Sequence, residues 1–194
     1  LQITAQTDPL KTKDSIAQDK WVDSILKKMD IDQKIGQLFM VAAYTNKDEE
    51  HEKYITDLIT KHQIGALIFF QDDAIKQLEL TNKYQSLSKV PLLIGIDGEW
   101  GLSMRLKNTV AFPYNMALGA IRNDKLLFEV GQHMGRHMKR EGVHINFAPV
   151  VDVNTNPENP VIGNRSYGES KENVTRKAIA FSKGIQSENV MACA

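Results

Sequence analysis

Short apolar runs alternating with longer amphipathic stretches constrain this chain more than any other feature of it. The runs occupy residues 38–44, 64–70, 91–97 and 143–151, and residues 189–194 open a fifth. They are nearly continuous in apolar residues, which marks strands buried on both faces. Between them, apolar residues recur at helical spacing over 49–62 (Tyr54, Ile55, Leu58, Ile59), 74–87 (Ile75, Leu78, Leu80, Tyr84), 124–141 and 170–188. An earlier stretch, 18–29, places Trp21, Ile25, Leu26 and Met29 on one face. Asp30, with Gln33 three residues on, then reads as a capping box. Strand, helix and strand repeated in this way build a parallel sheet through right-handed crossovers.

Two architectures satisfy that alternation, an open doubly wound sheet and a (β/α)8 barrel. The Gly-x-Gly-x-x-Gly turn of a dinucleotide fold is missing, since Gly95, Gly98 and Gly101 are spaced by three, and there is no Walker A sequence. Polar clusters instead follow the second, third and fourth runs: Gln71, Asp72 and Asp73; Asp97 and Glu99; Asp152 and Asn154. Polar groups at the carboxyl ends of successive strands are what the active face of a barrel requires. The expected fold is therefore α/β, of the TIM-barrel type. A complete barrel takes about 250 residues, so four to five βα units in 194 residues read as its N-terminal half. Residues 18–194 are taken as that portion, and 1–17 as a polar leader that includes a possible remnant of a signal peptide.

Composition removes several function classes. Twenty-four acidic residues balance 24 basic ones, leaving no electrostatic footprint for nucleic acid. The longest apolar run, 38–44, is far short of the roughly 20 residues of a membrane helix. Cys193 is the only cysteine, which excludes a disulfide framework and a cysteine zinc cage. No metal or cofactor is implied. His133 and His137 are four apart, but Met134 stands where a metalloprotease would carry glutamate.

The segments that carry chemistry are two long loops. The first runs Ile96, Asp97, Gly98, Glu99, Trp100, Gly101, Leu102, Ser103, Met104, Arg105; the second holds Asn146, Phe147, Ala148, Pro149 and Asp152, then Ile162, Gly163, Asn164, Arg165 and Ser166. Carboxylates accept hydroxyl protons, arginines donate to hydroxyl oxygens, and tryptophan covers an apolar sugar face. The same inventory also fits a structural role, with Asp97 capping a turn and both arginines paired with nearby acids.

Taken in order and spacing, these loops resemble glycoside hydrolase family 3, from Lys34, Ile35 and Gly36 to the last residue, and most closely its bacterial β-N-acetylglucosaminidase branch. That resemblance implies a retaining, exo-acting β-glycosidase. It places Asp97, Arg105 and Arg165 on positions that hold the terminal sugar, with Trp100 as a further candidate where the branch usually has glycine. The family's acid/base histidine and aspartate nucleophile would lie downstream of Ala194, beyond a Lys-His-Phe-Pro-Gly-His-Gly-like segment. No catalytic residue is therefore assigned here, and the 194 residues alone are expected to be inactive. The implied partner is a carbohydrate, with further C-terminal domains and an exported location expected for the parent protein. The alternatives are a β-glucosidase or β-xylosidase specificity, or a non-catalytic sugar-binding scaffold.

Overall fold

The computed structural model describes residues 14–194, so most of the expected leader lies outside the described residues. Five strands, β1 (Met40–Tyr44), β2 (Ala66–Phe70), β3 (Leu93–Ile96), β4 (Ile145–Asn146) and β5 (Met191–Ala192), form one sheet in the order β1-β2-β3-β4-β5. Every pair is parallel, with Met40 opposite Ala66, Ala66 opposite Leu93, Gly95 opposite Ile145 and Ile145 opposite Met191. The order decides between the two architectures. A doubly wound sheet reverses its strand order at a switch point, whereas a sheet that never reverses is a run of consecutive barrel units.

Helices cover the outside of the sheet, and their ends follow local chemistry. α3 (Glu49–His62) starts where the Asp48 side chain accepts the His51 N–H, and α4 (Ala74–Leu87) where Asp73 accepts that of Lys76. Glu49, Glu50 and Glu52 lie in the first turn of α3 and Lys61 and His62 in its last, each placed favourably on the helix dipole. After the short α5 (Asn115–Gly119), α6 (Asp124–Arg140) and α7 (Lys171–Gln186) pack closely: a Cβ at Gly184 would run into the Phe128 carbonyl of α6. Between helices and sheet, Ile55, Ile59, Leu67, Phe69, Ile94, Ile96, Met134, Met138 and Phe181 form a buried core. Full burial of each such side chain stabilises the fold by roughly 1.5–3 kcal/mol.

Three expectations need correction. The fourth strand, expected over 143–151, makes only a two-residue ladder. Its last sheet bond is from Phe147 N to Ile96 O; Pro149 then has no N–H to offer, and the chain leaves the sheet. α1 (Ser15–Leu26) begins three residues early, because Asp14 accepts the Ala17 N–H. None of its residues is buried, and Trp21 and Leu26 face solvent. α2 (Ile31–Gly36) does start at the Asp30–Gln33 capping box. His144, which its place inside the fourth apolar run predicts to be packed in the core, is exposed; its Nδ1 accepts the Ile94 N–H at 3.0 Å, which requires the neutral ring, and burial of that nitrogen lowers the histidine's pKa.

Both margins of the sheet show apolar side chains to solvent: Leu38 and Phe39 beside β1, and Val151, Ile179 and Met191 beside β5. Among the described residues no helix is long and apolar enough to cross a membrane.

Candidate functional site

The loop leaving β3 is pinned at its first turn. Asn146, fully buried on β4, accepts the Gly98 N–H through Oδ1 at 2.9 Å and donates through Nδ2 to the Gly98 carbonyl at 3.2 Å. A side chain at position 98 would come within 2.6 Å of the Met138 methyl, so glycine lets the loop hug the core. Gly101 then takes φ +89, where a Cβ would meet the Phe112 ring at 2.8 Å. A 3-10 turn at Leu102–Met104 follows, anchored by buried Leu102 and Leu106, and returns Arg105 to the start of the loop. There its Nη2 donates to Asp97 Oδ2 at 2.6 Å, while its guanidinium lies over the Phe70 ring, 4.7 Å from the centroid. The Arg105 Nε is buried without a partner among the described residues.

The loop leaving β4 is closed on itself by Ser166. Its hydroxyl, completely buried, donates to the Asp152 carbonyl at 2.6 Å and accepts the Gly168 N–H at 3.1 Å. A second 3-10 turn, Gly163–Arg165, then aims Arg165 back toward β3. Glu99 receives it side-on: Nε reaches Oε2 at 3.0 Å and Nη2 reaches Oε1 at 2.8 Å. Nη1 donates to the Val161 carbonyl at 3.2 Å, and Asn115 Nδ2 holds the Arg165 carbonyl at 2.8 Å. The hydrogen bonds to Glu99 raise the pKa of Arg165, and the nearby charges of Asp152 and Asp97 add to that.

Asp97, Glu99, Arg105 and Arg165 line one cavity of about 370 Å³, with Phe147, Pro149 and Asp152 on its wall. Three of the four residues expected at a site are thus brought together at the carboxyl ends of β3 and β4. Trp100 is not on that wall; its ring packs against Tyr114, centroids 4.7 Å apart and tilted by 64°. Both arginines pair with acids, as the structural alternative anticipates, but around an open hollow. Glu99, legible in the sequence only as a member of the polar cluster after the third run, joins Asp97 and the two arginines as a fourth charged residue of the cavity. The one signal for it was a second carboxylate two positions after Asp97. None of the histidines lines the cavity, and Asp97 and Glu99 are both engaged by arginines. The arrangement suits binding of a neutral polyol rather than proton transfer. A larger hollow of about 690 Å³ lies at the β1 margin among Phe39, Tyr54, Leu58 and His62, but no opposed acid and arginine converge there.

The model of the glycosyl hydrolase family 3 N-terminal domain matches residues 30–194. Among characterised relatives, β-hexosaminidase A of Pseudoalteromonas piscicida is 34% identical over 151 residues, covering 71% of this chain and 25% of the relative. The solved family 3 β-N-acetylglucosaminidase of Paenibacillus sp. superposes with a TM-score of 0.75 and 35% identity, covering 84% of this chain and 32% of that one. A β-glucoside phosphorylase, BglX bound to 2FGlc, gives a TM-score of 0.83 at 26% identity, covering 91% of this chain and 31% of the other. The chain thus spans between a quarter and a third of these proteins.

Proposed function

The chain belongs to glycosyl hydrolase family 3, and from that premise we propose that it supplies the terminal-sugar subsite of a retaining, exo-acting β-N-acetylglucosaminidase. The observation that carries this reading is the convergence of Asp97, Arg105 and Arg165 on one cavity at the C-terminal ends of β3 and β4, the face on which barrel enzymes act. Asp97 accepts protons from sugar hydroxyls, and the two arginines donate to their oxygens. The bonds donated to the Asp97 carboxylate strengthen as positive charge develops on the sugar ring in an oxocarbenium-like transition state, because the hydroxyls then become better donors. The arginines serve to fix the ring's orientation. Proton transfer and nucleophilic attack fall to the histidine and aspartate that the family resemblance places outside this segment. Further βα units would cover the apolar margins of the sheet at Leu38, Phe39, Ile179 and Met191. We assign the parent protein a carbohydrate substrate and an exported location, the latter on family likeness alone.

The test is hydrolysis of matched p-nitrophenyl β-glycosides by the complete gene product. Expected is faster release from the N-acetylglucosaminide than from the glucoside, at a rate independent of added inorganic phosphate. Preference for the glucoside would move the specificity to the β-glucosidase alternative. A strict need for phosphate would make the reaction phosphorolysis, and no turnover of either substrate by folded protein would favour a binding role.

A further inference from the structure

Glu99 is the least exposed charged group of the site, 5% accessible, and it belongs to the loop after β3, whereas its partner Arg165 belongs to the loop after β4, 66 positions away. A carboxylate so far out of water is retained only where its charge is met and its lone pairs are filled. Arg165 does both. The guanidinium has five N–H groups. Glu99 takes the one on Nε and one on Nη2, and the Val161 carbonyl takes one on Nη1. Two therefore remain, one on each terminal nitrogen, on an arginine that lines the cavity.

We propose that Glu99 is a positioning residue for sugar binding: it fixes the rotation of the Arg165 fork, so that the two remaining N–H groups meet a pair of neighbouring oxygens on the ligand. This rests on the sugar-site reading above and adds to it the group that sets the geometry. Without Glu99, Arg165 keeps its charge but can swing out, since its side chain is 37% exposed and otherwise tethered through one carbonyl contact. A bidentate contact depends on orientation, so freeing the fork weakens binding even though the charge remains. Glu99 touches no sugar in this arrangement and acts through Arg165 alone.

The experiment is a double-mutant cycle on the complete gene product, with p-nitrophenyl N-acetyl-β-D-glucosaminide as the probe. Glu99→Gln keeps the size of the side chain but removes its charge and one acceptor. It should lower kcat/KM ten- to a hundred-fold, mainly through KM. In an Arg165→Lys background, where no fork is left to orient, the same change should cost less than two-fold. Equal losses in both backgrounds, or none in either, would overturn the proposal. Asp97→Ala serves as the control: if that variant retains full activity, the sugar-site reading fails and not merely the role of Glu99. If Glu99→Gln does not fold, the wild-type protein still answers through the ¹⁵N signal of Arg165 Nε. Saturation with N-acetylglucosamine should leave the Nε–H signal in place while the terminal N–H signals move. A large shift of Nε would mean that Glu99 releases the arginine to the ligand.

Discussion

The two acid–arginine pairs of the cavity are built in opposite ways. Asp97 and Arg105 are eight positions apart on one loop, share a single hydrogen bond of 2.6 Å, and are each about a quarter exposed. Glu99 and Arg165 join two loops, share a side-on double contact, and bury the acid almost entirely. The first pair can open, because water or a hydroxyl can replace either partner at little cost. The second cannot, because opening it strands a buried carboxylate. One pair can therefore exchange its partner for a ligand, and the other serves as the frame that holds a donor still.

That contrast is broken most directly at Arg165. Arg165→Ala leaves Glu99 buried and uncompensated and should cost about 3 kcal/mol of stability in denaturant unfolding. Arg105→Ala removes a partner from a solvated acid and should cost under about 1 kcal/mol. Similar costs for the two would erase the distinction. Asp97→Ala should show the reverse profile, with a midpoint near that of wild type and a loss of about 2–3 kcal/mol in kcat/KM for the N-acetylglucosaminide, since sugar hydroxyls lose a charged acceptor. Arg165→Lys sharpens the point: the charge opposite Glu99 survives, so stability should fall by about 1 kcal/mol, while the lost fork still lowers kcat/KM at least ten-fold.

The smallest effect lies away from both pairs. Burial and the neighbouring charge of Asp73 push the pKa of Glu141, at the end of α6, up to about 6 from the usual 4.5. The folded state then holds this proton more tightly than the unfolded chain does. Its contribution is therefore full below about 4.5 and is lost as pH rises through 6. Glu141→Gln should raise the melting temperature slightly at pH 7.5 and leave it unchanged at pH 4. An equal shift at both values would refute the titration.

Much of this frame was legible in the sequence, for identifiable reasons. α3 and α4 fall on the expected 49–62 and 74–87 because aspartates at 48 and 73 cap them and their apolar faces meet a sheet. Periodicity alone misjudged α1, since a repeat of apolar residues does not say what that face packs against. It also overextended β4, because an apolar run containing Pro149 can remain buried without remaining in the ladder. The site divides along the same line. Asp97 and Arg105 belong to one contiguous motif, so their meeting is local. Glu99 and Arg165 meet only because parallel strand order brings the loops after β3 and β4 side by side, and no spacing rule connects positions 66 apart. Trp100 shows the converse limit: an aromatic beside a carboxylate suggested a sugar platform, whereas its ring is taken up by Tyr114.

Calorimetric titration of N-acetylglucosamine into the complete gene product and its Asp97→Ala variant tests the central claim without relying on turnover. Binding to the wild-type protein should be measurable, and the variant should bind at least thirty-fold more weakly at an unchanged melting temperature, a factor equivalent to about 2 kcal/mol. Equal affinity for both proteins would contradict that claim, because the sugar would then be held somewhere other than the cavity between the loops after β3 and β4.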